Sequence, residues 1–235
     1  MILRKKALHL GFWSAIAVTI FTAGFIVALP LTFLPNLAEW TGIEDYTKAF
    51  KPIQMLTVFP SILLASAYMI FTVSLHYYSE NDKKIWSHLS IVFGLMYATI
   101  SSLNYLIQII TVIPSMVNNQ SNGLEAFVAG NSNSIFFALM ASYFFMCIST
   151  LFISFIFSYK DREQKIIRIL FMGAGISGPL CLFGAVVPIL MPLAGALWFV
   201  CLASGSIKIS IYFRKLLNNF NQTKAKGQNN GGYTG

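Results

Sequence analysis

Residues 53–78 read IQMLTVFPSILLASAYMIFTVSLHYY, and this stretch decides the fold class. It contains no Asp, Glu, Lys or Arg. A helix needs about 20 such residues to cross the hydrocarbon core of a bilayer, which is roughly 30 Å thick. A strand of a membrane β-barrel has only about 10 residues and alternates apolar with polar side chains, which this stretch does not do. The stretch therefore predicts a membrane-spanning α-helix.

Five further stretches have the same character, and none of the six contains Asp or Glu. The whole chain is 56% apolar and only 10% charged, whereas soluble domains carry about 25% charged residues. We predict an all-α membrane protein with a six-transmembrane-helix bundle in residues 1–218 and a disordered cytoplasmic tail in 219–235. The predicted spans are about 8–34, 53–78, 85–113, 134–158, 166–187 and 192–213.

Lysine and arginine are distributed unequally between alternate loops. Of the 16 such residues, only Lys48 and Lys51 lie in the first loop, and the third and fifth loops have none. Basic residues stay on the cytoplasmic side of a membrane. We therefore predict that both termini are cytoplasmic (N-in, C-in) and that the protein lies in a cell inner (plasma) membrane.

The net charge of +8 is also typical of nucleic-acid-binding proteins. Its segregation into alternate loops argues against a nucleic-acid partner and makes the lipid bilayer the expected one. The basic residues have two interpretations: they only fix the topology, or they also bind anionic lipid headgroups.

Two of the outer loops have compositions typical of short surface helices. The first loop, 35–52, mixes aromatic residues with acidic and basic ones, which suits a helix lying in the membrane interface. The third loop, 114–133, is rich in Asn, Ser and Gly around 124–127, where we predict a second short helix.

The third predicted span carries polar residues at alternating intervals of four and three. Side chains with this spacing share one face of a helix, and a polar face is unfavourable against lipid. We therefore predict that it points into the bundle. Its members are Tyr97, Ser101, Asn104, Gln108, Thr111 and Ser115.

The second predicted span shows a weaker version of the same pattern. The two spans are joined by a short loop, so we predict that their polar faces meet in a seam. One interpretation is a ligand site formed by Asn104, Gln108, Ser101, Tyr97, Tyr68 and Thr72; the other is hydrogen bonding between helices. The pattern in the second span is Thr57, Ser61, Ala65, Tyr68, Thr72 and His76.

The fifth and sixth predicted spans are rich in small residues, which allow helix backbones to approach closely. We interpret them as a packing surface between these two helices, with docking of another membrane protein as the alternative. The residues are Gly173, Gly175, Ser177, Gly178, Cys181, Ala185, Ala203, Gly205 and Ser206.

No pattern in the chain predicts a catalytic, cofactor-binding or metal-binding residue. The three cysteines form no CxxC pair, and His76 and His88 flank one short loop without a further ligand beside them. Acid–base enzymes and proton-coupled transporters use titratable groups at depth, and the predicted spans contain no carboxylate.

A run within residues 97–160 resembles a set of small bacterial six-span membrane proteins. The resemblance rests on Asn104-Tyr105-x-x-Gln108, the pair Pro114-Ser115, Gly123-Leu124 in the following loop, and Asn residues at 131–133 before the next helix. The resemblance implies a six-span fold and no known reaction. Such proteins often carry a Glu early in the fourth span, and the matching stretch 136–140 here has none, which puts any shared activity in doubt.

Three functional hypotheses follow from these patterns. The leading one is a non-enzymatic protein that binds or passes a small neutral or amphipathic molecule through the polar seam. The second is a scaffold or partner subunit that docks another membrane protein on its fifth and sixth spans. The third is a lipid-modifying enzyme, which needs titratable groups to converge at one interface.

Overall fold

The protein consists of six long apolar helices and the short segments that connect them. The computed structural model describes residues 2–32, 40–184 and 186–230, with side chains from 3 to 30, 40 to 184 and 186 to 222. Within this part of the chain, six helices are long and apolar enough to cross a membrane. The predicted all-α, six-helix membrane fold is therefore confirmed.

In the described ranges, nine α-helices form these spans and the short elements beside them. Helix α1 is the first span, α3 the second, α4 with α5 the third, α6 with α7 the fourth, α8 the fifth and α9 the sixth. A π-helical turn, Gln108–Val112, joins α4 to α5. The bounds are α1 (Ile2–Thr32), α2 (Ile43–Ala49), α3 (Val58–Tyr78), α4 (Lys84–Ile107), α5 (Ile113–Val117), α6 (Ile135–Met140), α7 (Ser142–Ile156), α8 (Arg162–Phe183) and α9 (Leu190–Asn230).

The spans pack in chain order around a closed ring. Each of α1, α3, α4, α7, α8 and α9 packs against the next, and α9 packs against α1. One end of the bundle, here called the basic end, carries the start of α1 and the last turns of the α9 span. The Lys5 ammonium donates to Asn221 Oδ1 at 2.9 Å and Lys215 to Glu163 Oε1 at 2.9 Å, so α1, α8 and α9 meet there. We call the other end the loop end.

Aromatic side chains fill the centre of the ring. Phe71 on α3 stacks on Phe171 on α8 with ring centroids 6.0 Å apart, and both side chains are fully buried. Large aliphatic side chains lie on the outside instead, with Val27 73% and Ile110 68% exposed. An exposed apolar surface of this kind is stable against lipid tails, which agrees with a membrane location.

Glycines allow α8 to approach two neighbours closely. An added Cβ at Gly175 would lie 2.7 Å from Leu151 Cα on α7, and one at Gly178 would lie 2.6 Å from Cys147 Cβ on the same helix. A Cβ at Gly173 would lie 2.7 Å from the sulfur of Cys201 on α9. The small residues of the fifth span therefore pack against the fourth span as well as the sixth. Ala185, which belongs to the same predicted set, lies outside the described residues.

The first and third loops pack together over the loop end. Ile43 of α2 is buried with Val112, Met116 and Val128. Helix α2 provides the short helix predicted for the first loop. The third loop forms turns rather than the second short helix predicted around 124–127. Asn119, at φ 55°, reverses the chain after α5, and residues in this left-handed conformation commonly end helices.

Some predicted boundaries differ from the observed ones. The third span continues past 113 to Val117, and the fourth breaks at Ala141 into α6 and α7. Helix α9 continues to Asn230, so part of the segment predicted as a disordered tail from 219 is helical. Residues 231–235 of that tail, and 33–34 of the first predicted span, lie outside the described residues.

The contact between Tyr46 and the third loop gives a pH-dependent prediction. Burial raises the pKa of Tyr46 to about 12, and a hydrogen bond to the Gly130 backbone offsets part of the rise. Because this value lies above the ordinary 10.0, the packing contributes its full stability below pH 10.0 and loses it as the pH rises through about 12. The near-ultraviolet absorbance of wild type and of Tyr46→Phe is measured against pH. The difference between the two curves should have its midpoint near pH 12.

A valine at Gly130 is the companion variant for this titration. Gly130 lies so close to the Tyr46 ring that an added side chain would overlap it. In Gly130→Val, the ring should lose its cover and the midpoint should fall towards the ordinary value. A wild-type midpoint already at the ordinary value would contradict the packing of the two loops.

Candidate functional site

The polar face of α4 points into the bundle, as the spacing predicts. Tyr97 is 0% exposed, and Ser101, Asn104 and Gln108 are each 1% exposed. The periodic pattern located these four side chains correctly, because lipid tails offer a polar group no hydrogen-bond partner.

The same face does not continue to Thr111 and Ser115, although the spacing predicts that it does. Thr111 is exposed and Ser115 is half-buried, while Val112 and Met116 are buried in their place. In the intervening π-helical turn, the Ile113 N–H donates to the Gln108 carbonyl five residues earlier. The wider turn inserts one residue and rotates the following helix by about 100°, so the inward positions shift by one.

Hydrogen bonds connect the α4 face to the fourth span and the third loop. The hydroxyls of Ser101 and Ser142 lie 2.7 Å apart. Asn104 Nδ2 donates to the Phe136 carbonyl at 3.2 Å, and Gln108 Nε2 donates to the Phe127 carbonyl at 2.9 Å. The polar seam at these residues therefore lies between α4 and the α6–α7 span, not between the second and third spans.

The second span joins this network at a different level. The Tyr68 hydroxyl donates to Ser149 Oγ at 2.8 Å, and Ser149 donates to the Ser90 carbonyl at 2.7 Å. The rings of Tyr68 and Tyr97 meet edge to face with centroids 5.7 Å apart. Thr72 is buried but donates to the Met69 carbonyl of its own helix at 2.9 Å. Tyr68 and Tyr97 are thus neighbours, whereas Thr72 bonds only locally.

A double substitution tests what the α4 network does. In Asn104→Leu/Gln108→Leu, the Phe136 and Phe127 carbonyls lose their donors at a cost of roughly 0.6 to 1.7 kcal/mol for each bond. We expect a lower unfolding midpoint in detergent and faster amide exchange in residues 118–134. Thr111→Leu is the matched control and should change neither quantity. An equal loss in Thr111→Leu would contradict the register shift at the π turn.

An apolar cavity of about 240 Å³ lies between α1, α7, α8 and α9, in the half of the bundle nearer the loop end. Among its lining residues, Cys181, Leu182 and Gly195 are exposed, so it opens at the surface between α8 and α9. Trp198 lines it and is 8% exposed, and its indole N–H is buried with no hydrogen-bond partner among the described residues. We call this space the apolar cavity. Its lining includes Phe25, Tyr143, Cys147, Cys181, Gly195 and Trp198.

A second cavity, of about 170 Å³, lies beside the first at the loop end. Phe25 and Met140 line both, so these two side chains separate them. Tyr46, Gln54 and Tyr105 bring polar groups to the second cavity. Neither cavity is lined by Asn104 or Gln108, so the pattern in α4 predicted none of this space. The sequence signals near these cavities were the small residues of α8 beside the first and Thr57 of the second-span pattern beside the second.

The histidines beside the second loop meet in space. The rings of His76 and His88 have centroids 4.3 Å apart, and His76 Nδ1 lies 2.8 Å from Ser87 Oγ. Within the described ranges, no three His, Cys, Asp or Glu side chains are placed to hold a metal ion together. The structure thus brings the two imidazoles together at the basic end.

In comparisons with protein-family models, curated proteins and solved structures, no match to this chain was found.

Proposed function

We propose that this protein binds a small, mostly apolar amphipathic molecule in the apolar cavity. The observation that carries this proposal is the Trp198 indole N–H, which is buried without a partner on the wall of an otherwise apolar space. A buried donor left unpaired costs about 1–3 kcal/mol. A ligand that places an ester, ether or hydroxyl oxygen there removes this cost.

The size and the lining of the cavity support such a ligand. An engineered apolar cavity of roughly 150 Å³ stays dry and binds benzene, and this one has about 240 Å³. The Ser177 hydroxyl on its wall already donates to the Ala174 carbonyl at 2.6 Å. The Trp198 N–H, in contrast, is a buried donor on this wall that a ligand can use.

The position of the opening supports entry from the bilayer. Cys181, Leu182 and Gly195 form an exposed rim on the outside of the bundle, where lipid would lie. The second cavity, with Tyr46 and Gln54, extends the space towards the loop end. An amphipathic molecule would place an oxygen at the Trp198 N–H and its apolar part against the rest of the apolar lining.

The seam at Asn104 and Gln108 has a structural role in this proposal. The Ser101 hydroxyl and the side-chain amides of Asn104 and Gln108 form hydrogen bonds to the fourth span and the third loop. These bonds hold the loop end in place around the second cavity. The segregation of Lys and Arg supports a bacterial inner membrane with cytoplasmic termini. On that orientation, the apolar cavity lies in the outer half of the membrane.

A role as a partner subunit is the second candidate, and Gly195 favours it. A Cβ added at Gly195 would meet no atom of the described residues within 4 Å, so α9 presents an open small-residue position beside the exposed Cys181 and Leu182. A helix of another membrane protein would approach closely at such a position.

Native mass spectrometry of the protein in mild detergent, with methyl decanoate and n-decane as probes, tests the proposal. Wild type should retain methyl decanoate in preference to n-decane, because only the ester accepts a hydrogen bond. Trp198→Phe should weaken methyl decanoate binding about five- to tenfold, the equivalent of one hydrogen bond of about 1 kcal/mol, and leave n-decane binding unchanged.

A variant that blocks the opening of the cavity provides the second arm of this experiment. Gly195→Phe places a large side chain at the rim and should prevent binding of both probes. Leu193→Phe is the control, since Leu193 is 54% exposed and does not line the cavity. Equal binding in all variants would overturn the proposal. Co-purification of a membrane protein that Gly195→Phe abolishes, without probe binding in wild type, would favour the partner subunit.

A further inference from the structure

A groove of about 600 Å³ runs between α1 and α9 at the basic end. It lies far from the apolar cavity, and nothing in the proposed function depends on it. We infer that it binds the phosphate of an anionic phospholipid between Lys5 and Arg214. The groove is lined by Lys5, His9, Phe12, Trp13, Arg214 and Leu217, together with two asparagines.

The cations of the groove are not neutralised by the protein. Lys5 donates one of its three hydrogens to Asn221 Oδ1 at 2.9 Å, which holds the ammonium at the rim. Arg214 is exposed, and no carboxylate lies within ion-pair distance of either residue in the described part of the chain. Lys215, the next residue, is instead paired with Glu163 at 2.9 Å. Two cations without a described carboxylate partner therefore line the groove.

The floor and flank of the groove are apolar. Phe12 and Leu217 are partly buried and pack on the main core. Trp13 is 56% exposed, and its indole N–H donates to His9 Nε2 at 3.3 Å. Tryptophan is enriched where the hydrocarbon core meets the headgroups. Cations at the rim with apolar surface beneath them complement a phospholipid, whose phosphate and acyl chains are joined in the same order.

The exposed face of α1 continues the site into the membrane. Leu10 is 46% and Ile20 is 59% exposed, so an acyl chain would follow α1 away from the basic end. A free phosphate ion would leave this apolar surface and Trp13 unused. The exposed apolar surface and Trp13 therefore favour an anionic phospholipid over a soluble anion as the ligand of the groove.

The test is native mass spectrometry of the full chain in mild detergent, titrated with phosphatidylglycerol or with phosphatidylcholine of the same acyl chains. Wild type should bind phosphatidylglycerol more tightly. Lys5→Gln/Arg214→Gln should weaken that binding roughly 30-fold, since each basic residue near a membrane surface contributes about 1 kcal/mol. Binding of phosphatidylcholine should stay the same.

A matched variant separates a site from a general charge effect. Lys160→Gln/Arg162→Gln removes the same two charges from exposed positions at the same end and should leave phosphatidylglycerol binding at the wild-type level. An equal loss in both double variants, equal binding of the two lipids, or displacement of phosphatidylglycerol by millimolar inorganic phosphate would each overturn the inference. Because the cavity variants at Trp198 and Gly195 lie near the other end, failure here is distinguishable from failure of the proposed function.

Discussion

Replacing Gly175 with valine should separate α8 from α7 and destabilise the whole bundle. An added Cβ would lie 2.5 Å from Leu151 Cβ, 2.7 Å from its Cα and 2.8 Å from its backbone nitrogen. Backbone atoms cannot rotate away as the end of a side chain can, so the helix itself has to move. Overpacking of a core costs about 1–3 kcal/mol and occasionally more, and we expect this variant at the upper end.

Thermal unfolding in mild detergent, followed by the loss of the monodisperse peak in size-exclusion chromatography, measures the effect. The control is Gly195→Val, the same change on the neighbouring helix at a position where an added Cβ meets no atom within 4 Å. Gly195→Val should unfold close to wild type, because its added side chain has open space. It is a matched control because both variants change the helix propensity of a glycine position in the same way. A Gly175→Val protein as stable as Gly195→Val would show that α7 and α8 do not pack this closely.

Removing the Phe71 ring should produce the second large effect. The ring is fully buried, stacks on Phe171 at 6.0 Å and lies 6.3 Å from the Tyr68 ring. In soluble proteins Phe→Ala costs about 3–5 kcal/mol. In a membrane protein the unfolded helices remain in lipid, so lost packing rather than transfer from water sets the cost. We therefore expect roughly 2–3 kcal/mol for Phe71→Ala.

Phe59→Ala is the matched control on the same helix. Phe59 is 49% exposed, so its ring faces the surroundings and can be replaced by lipid or detergent. Reversible unfolding in mixtures of mild detergent and dodecyl sulfate gives the difference in free energy of unfolding for both variants. Equal losses would contradict a core in which α3 and α8 meet at the centre of the ring.

The number of spans and their helical nature could be predicted because they follow from local properties of the chain. In a bilayer the backbone has to satisfy its hydrogen bonds within the span, so an uncharged run such as 53–78 has essentially one available structure. The inward face of α4 was predictable for the same reason, since Ser101, Asn104 and Gln108 are stable only inside the protein.

The register of that face after Gln108 was not predictable from spacing alone. The pattern assumes 3.6 residues per turn, and the π-helical turn Gln108–Val112 breaks the assumption. Pro114 follows two residues later and has no N–H to donate to the carbonyl four residues before it. A proline inside the predicted polar stripe, between Thr111 and Ser115, was therefore the available warning that the register changes there.

The sequence by itself determined six apolar helices, the segregation of basic residues to alternate loops, and the burial of four polar side chains on α4. These properties depend on each segment and its solvent. Only the tertiary structure decided that α4 bonds to the fourth span, that α8 packs against both α7 and α9, and that Trp198 faces a cavity with its N–H unpaired. These depend on how six helix surfaces of different shape fit around one ring, and residues far apart in the chain contribute to each of them.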